Sequence, residues 1–431
     1  MNILRFGSTH GSPSRYLDLL DFDEIDKVIW LTHEDDLMVK KVFEECRRLN
    51  PLFDDKVKLI TYSIPSHVKF MSRVIQFIHT RNQKASKRLD YLYNLFDFII
   101  GLMQPKIIKR IVEEESIDFV WSGNNDSDNV NVLLWMFSKG KRNKLPVLHS
   151  YQEHRCSFRI DEKHSILRAN KLIVPSKANM ESFEKTYSIY LGSKTVYGNE
   201  DWRSKKLIDY IEQSSVSKYS DIDGEPHVII LARYATYGKD RFGRRGSRIN
   251  YLQIIEKMVK NGIHIHLNCL QIVEDIESKR IEVGNPYEML KMQYPKYFHI
   301  DEPFDMNDWN SYLELKKYDA GILHNVVDGE KVNEFSHMNV PNRFFEYLIC
   351  NVQPIILKNK MQDVEEFIHS IDFGVLGRDY DEISNILKEQ IKDKSVNYPS
   401  IELKSKYSFE KFISILLHQH GRLSLPLIEA K

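Results

Sequence analysis

Residues 340–356 read VPNRFFEYLICNVQPII. Two periods meet inside this stretch. Pro341 suits the first turn of a helix, and Phe344, Phe345 and Leu348 fall on one side of it while Asn342, Arg343 and Glu346 fall on the other by the i, i+3, i+4 rule. The pattern predicts a helix over 342–350. Asn351 tolerates the left-handed conformation that ends helices, and the Ile-rich run behind it predicts a strand over 353–358. A helix that hands over directly to a buried strand is the repeating unit of a parallel α/β sheet.

The same alternation runs through the rest of the chain. Short apolar runs beside turn residues occur at 2–7, 27–32, 56–63, 118–123, 146–151 and 171–176, with helical stretches such as 97–115 and 178–189 between them. A polar segment, 203–225, reads as linker plus helix, and then the series restarts. Strands are expected at 227–233, 263–269, 297–303, 318–324, 353–358 and 373–377, with helices at 249–261, 307–317, 361–369 and 380–393. A last helix is expected over 408–421. This gives an α/β chain of two Rossmann-like domains facing across a cleft, in which ligands sit beyond the carboxyl ends of the strands. The expected boundaries are 1–195, a linker at 196–225, a second domain at 226–405, and a terminal helix at 406–431 placed to pack back on the first domain.

Composition narrows the function classes. The 431 residues carry 61 Lys and Arg against 61 Asp and Glu, so the chain offers no bulk positive charge for nucleic acid. Cys46, Cys156, Cys269 and Cys350 are far apart and form no CxxC pair, which fits free thiols in a reducing cytoplasm and gives no zinc motif. The apolar run before the first glycine is too short for a signal peptide, and 91–103 is interrupted by Asn94 and Asp97 and too short to span a bilayer. A cytoplasmic protein is expected. Residues 67–110 hold nine Lys or Arg against Asp90 and Asp97, interleaved with aromatics. They read either as a surface for anionic membrane, at its inner face, or as core-facing helices with solvated basic edges.

Taken in order, several segments resemble the large retaining group of GT-B glycosyltransferases known as family 4. ILARYATYGKD carries Arg233 and Lys239, KYDAGILHN resembles the group's Asp-Ala/Val-Gly strand, PNRFFEY resembles its Pro-Asn-Lys/Arg-x-Phe-Glu-Tyr segment, and FGVLGRDYDEISNIL resembles its closing strand and acidic helix. ANKLIVPSKANMESFEKTY and TVYGNED resemble its first-domain strand and domain junction. The sequence departs from the pattern at Met338, where the group has the first Glu of a Glu-x7-Glu pair, and at Gln152, where it has a His. Glu334 stands four residues before Met338, and Asn351-Val352-Gln353-Pro354 replaces the usual Gly-x-Pro.

The resemblance implies transfer of a sugar, with retention, from a UDP- or GDP-linked donor to a glycan or lipid-linked acceptor in cell-surface polysaccharide synthesis, with no metal and no other cofactor. Glu346 then accepts the ribose hydroxyls, Arg343 and Asn342 face the donor, and Glu334 stands beside them. Arg233, Lys239 and Arg241 supply positive charge for the diphosphate. For Arg343 and Glu346 the alternative is an ordinary exposed pair worth a few tenths of a kcal/mol. His149, Glu153 and His154 are the catalytic candidates at the end of a first-domain strand, with hydrogen-bonded packing the other reading of the two histidines. Gly7 and Gly11 allow a close approach of backbone to substrate, or simply a tight turn. The rival functions are a GT-B nucleotide-sugar epimerase and a non-catalytic nucleotide- or glycan-binding protein.

Overall fold

The computed structural model describes residues 1–6, 13–33, 37–62, 106–123, 145–151, 163, 166–167, 169–200, 202–238, 249–274, 284–323 and 340–424. The chain divides into two compact units, Met1–Ser204 together with Phe409–Lys431, and Lys205–Ser408.

In the first unit the described strands are β1 (Asn2–Phe6), β2 (Lys27–His33), β3 (Val57–Tyr62), β4 (Phe119–Gly123), β5 (Val147–Ser150), β6 (Lys171–Val174) and β7 (Thr195–Tyr197). They form one sheet in the order β3-β2-β1-β4-β5-β6-β7, with every described pairing parallel. Their continuous apolar runs follow from burial on both faces. Leu4 and Phe6 of β1 enter a core with Ile29, Val120, Leu172 and Phe183. Period-two alternation turns Arg5 to the other face, where Trp30 and Trp121 lie. The helix Phe409–Ser424 contributes to this unit: Phe412 packs on Trp121 at 5.7 Å and His420 stacks on Phe119 at 4.7 Å between ring centres.

The second unit repeats the plan. Its described strands are β8 (His227–Thr236), β9 (His264–Val273), β10 (Phe298–Asp301), β11 (Ala320–Ile322), β12 (Gln353–Leu357) and β13 (Val375–Gly377), in the order β10-β9-β8-β11-β12-β13, all parallel. In both sheets the order reverses beside the first strand, between β1 and β4 and between β8 and β11. Such reversals open crevices at the carboxyl ends of the strands.

Two elements differ from the sequence expectation. The segment read as a linker, 196–225, holds the end of β7, then the helices Lys205–Gln213 and Ser220–Asp223 of the second unit. β8 does not stop at Arg233 but runs to Thr236, paired with β9 as far as Thr236↔Val273. The helix between the second and third strands, which the alternation implies without bounds, is Leu37–Leu49, where Val39, Val42, Phe43 and Cys46 follow helical spacing and are all buried. Among the described residues no helix is long and apolar enough to cross a membrane.

Candidate functional site

The helix Asn342–Ile349 follows β11 and starts at the reversal of the second sheet. Pro341 occupies the cap position rather than the first turn, with φ −63° and ψ 144°. A proline side chain accepts no hydrogen bond, so among the described residues no side-chain cap closes this helix start. The first carbonyl bond is Phe344 N–H to Pro341 O at 2.8 Å, one residue beyond the N–H groups of Asn342 and Arg343. Those leading N–H groups carry the positive end of the helix dipole.

Tyr347 fixes the helix at the crevice. Its hydroxyl accepts from the Leu231 N–H of β8 at 3.4 Å and donates to the Ile322 carbonyl of β11 at 3.3 Å, so one side chain spans the two strands that flank the reversal. Burial pushes its phenol above the ordinary value. The ring fits because residue 321 is glycine: a Cβ there would stand 2.4 Å from Tyr347 Cε2. Glycine within a buried strand signals this kind of close approach, and it is the sequence signal that would have found Tyr347.

Arg343 is half-buried, and its Nη1 donates to the Leu231 carbonyl. Burial works against its charge, but Tyr251, Tyr347 and Glu346 around it outweigh burial and hold its pKa above the usual arginine value. Glu346 is 6% exposed. The exposed Arg–Glu pair allowed by the sequence is therefore not what forms: one partner is anchored to strand backbone and the other is covered. Asn342 is exposed at the first helical position. Arg233 is exposed on β8, just before the strand's unexpected extension, its guanidinium 5.4 Å from the Tyr234 ring centre. Leu231, the carbonyl partner of Arg343, lies two residues before it on the same strand. Beyond the last helical turn Asn351 has φ +58°, Val352 N–H reaches Tyr347 O at 2.9 Å and Asn351 N–H reaches Leu348 O at 3.4 Å. This double closure is the Schellman arrangement.

In the first unit, His149 lies on β5 with its ring fully buried and edge-on to Tyr151 at 4.4 Å. Burial lowers its pKa to about 3, so the ring is neutral at physiological pH. Beside it is a polar group that sequence reasoning missed. Arg5 Nη2 donates to Glu200 Oε1 at 2.5 Å, and Ser150 donates to Glu200 Oε2 at 3.0 Å. The Arg5 guanidinium lies 4.3 Å from the Trp121 ring centre and 4.9 Å from that of Trp30. Gly123 makes room for it, since a Cβ there would stand 2.2 Å from Glu200 Oε2. This ion pair is buried at the carboxyl ends of β1, β4 and β5, the reversal of the first sheet. Gly7, Gly11, Glu153, His154, Lys239, Arg241 and Glu334 lie outside the described residues, as does most of 67–110.

No protein-family model matches this sequence, and no curated protein matches it. Solved structures do. HepE of Anabaena in complex with UDP is 10% identical with a TM-score of 0.55, covering 98% of this chain and 100% of that one. A glycosyltransferase from Rickettsia africae is 12% identical with a TM-score of 0.57, covering 98% of both chains. The chain has the GT-B fold. HepE in complex with UDP and glucose matches at 12% identity and a TM-score of 0.52, again across 98% of this chain. The GT-B likeness thus spans both sheets, and at this identity it speaks for the fold.

Proposed function

We propose that the chain is a glycosyltransferase whose second unit binds a nucleoside-diphosphate sugar at the crevice between β8 and β11. The observation that carries this reading is the uncapped start of Asn342–Ile349 at that crevice, with a half-buried, fully charged Arg343 on its first turn. Helix N–H groups and a guanidinium together suit a diphosphate. Arg233, on the same strand as the carbonyl that anchors Arg343, adds positive charge for the leaving group. Glu346, one turn further in, is assigned to the ribose hydroxyls, because an ionised carboxylate accepts two hydrogen bonds at once. HepE, which shares the fold, is solved with UDP, and this favours a nucleotide ligand here.

Lys239, Arg241 and Glu334 complete the donor side of the proposal. Glu153 and His154, with Gly7 and Gly11, are assigned to the acceptor side. The buried, neutral His149 serves as packing behind that side rather than as a solvent-facing base. The acceptor is a glycan or lipid-linked sugar of a cell-surface polysaccharide, and transfer retains configuration with the departing phosphate taking the acceptor proton. The basic 67–110 stretch brings the protein to the inner face of the membrane.

The test is calorimetric titration with UDP and GDP, followed by nucleotide release from their sugar conjugates. Glu346→Ala is expected to weaken nucleotide binding at least about tenfold, the cost of losing a charged hydrogen bond, while the melting temperature moves little. A lowered melting temperature with unchanged affinity would return Glu346 to a purely structural role. Binding without turnover on any acceptor would favour the non-catalytic alternative.

A further inference from the structure

At the amino-terminal end of the second sheet, the edge opposite the crevice, four histidines from three adjacent strands share one face. His227 opens β8, His264 and His266 lie on β9, and His299 lies on β10. The register pairs His227 with His264 and His299 with His266. The rings stack at 4.3 Å for His227–His264 and 4.4 Å for His266–His299. We propose that this edge binds a divalent transition ion of the zinc class through His227, His264 and Asp223, with Glu225 as the fourth ligand.

One donor atom each from Asp223, His227 and His264 already lie within 4.8 Å of one another. His227 Nε2 is 2.9 Å from Asp223 Oδ2, and His264 Nε2 is 2.6 Å from Glu225 Oε2. Lys296 holds the other oxygen of Glu225 at 2.7 Å, which leaves Oε2 turned toward His264. A tetrahedral site with bonds of about 2.0–2.1 Å needs its donors about 3.3 Å apart. The Asp223–His227 and Glu225–His264 pairs, at 2.9 and 2.6 Å, open slightly, and the widest separation among Asp223, His227 and His264 closes by up to about 1.5 Å. The exposed Asp223 side chain makes that movement by giving up the bond from the Glu225 N–H.

The second observation is the row of groups behind the ligands. His227 Nδ1 is 2.9 Å from His266 Nε2, and His266 Nδ1 is 2.9 Å from Asp301 Oδ2. His264 Nδ1 is 3.3 Å from His299 Nε2. Each Nε2 faces a carboxylate oxygen at hydrogen-bonding distance, and with each Nδ1 donating inward its lone pair is open to an ion that takes the place of the Nε2 proton. Ligating histidines are oriented in this way, by a carboxylate or other acceptor on the second ring nitrogen. Two imidazoles and two carboxylates suit zinc, and cobalt or nickel after it, better than the hard oxygen-seeking ions. The site closes on four protein ligands, so its role is structural: it joins the helix Ser220–Asp223 to the first residues of β8 and β9.

The full chain is stripped with a chelator and titrated with zinc chloride by calorimetry, and with cobalt chloride by visible absorption. One ion per chain is expected at submicromolar affinity, with the intense absorption of tetrahedral cobalt. His227→Ala and His264→Ala should each weaken binding about 100-fold, and His299→Gln, acting only through His264, about tenfold. Because the histidine variants are buried and can fail to fold, the double variant Asp223→Asn/Glu225→Gln, changed at an exposed and a half-buried carboxylate, carries the decision. It should keep its circular dichroism and lose the cobalt band. Absent or only weak binding, or a zinc affinity unchanged in the double variant, overturns the proposal.

Discussion

Gly321 shows how much of this molecule turns on one missing methyl group. A Cβ at that position would stand 2.4 Å from the Tyr347 ring, which also bonds to both strands of the crevice. Gly321→Ala should destabilise the second unit by about 1–3 kcal/mol, the usual cost of overpacking. It should also weaken nucleotide binding by shifting the helix start; urea denaturation and the same titration check both. His149 gives a pH prediction. Its pKa is about 3 when folded, against about 6.5 when exposed. The unfolded chain therefore takes up the proton first. The contribution of His149 is complete above about pH 6.5 and is lost as pH falls toward 3, with a slope of about 1.4 kcal/mol per pH unit. Denaturation curves between these limits should flatten in His149→Asn. Glu200→Gln leaves the buried Arg5 charge without its partner and should cost about 3–5 kcal/mol, read as an early thermal transition of the first unit.

At the scale of elements, the helix Asn342–Ile349 is defined by both its ends. Its start is uncapped and its finish is closed twice, by Val352 N–H on Tyr347 O and Asn351 N–H on Leu348 O. Asn351→Gly should leave stability unchanged or raise it, and Asn351→Ala should cost about 1 kcal/mol for forcing a Cβ into the left-handed region; thermal melts distinguish them. Most of the strands were legible because parallel strands buried on both faces give unbroken apolar runs, as in β8 and β12. β7 was not, since Thr195, Val196 and Tyr197 are few and none is fully buried, so no apolar run marks them. The end of β8 was misplaced for a related reason. Past Leu231 the apolar run breaks: Ala232 and Tyr234 are half-buried and Arg233 is exposed before burial returns at Ala235 and Thr236, where β9 is the paired neighbour. Within the candidate site, local spacing puts Arg343 and Glu346 on one helix face, and the family resemblance is what singles them out as donor-side candidates. Tyr347 with Leu231, and Arg5 with Glu200, could not, because their partners stand 116 and 195 residues away in the chain.

Across the whole molecule, the division of the chain is not at a single point. Residues 409–424 return to the first unit, where Phe412 covers Trp121 and Phe409 packs edge-on to Tyr16 at 5.7 Å. Deleting 409–431 should therefore lower the thermal stability of the first unit while the second keeps its nucleotide affinity, which calorimetry with and without UDP would separate. The return is pinned where it arrives, by Phe409 N–H on the Arg203 carbonyl at 2.9 Å, so the points where the chain leaves and re-enters the first unit are neighbours. In topological terms, 205–408 is an insertion into a unit whose two pieces lie on either side of it. That bears on synthesis. The ribosome finishes the entire second unit before it makes the helix that covers Trp121, so the first unit waits with an open apolar face until that helix emerges.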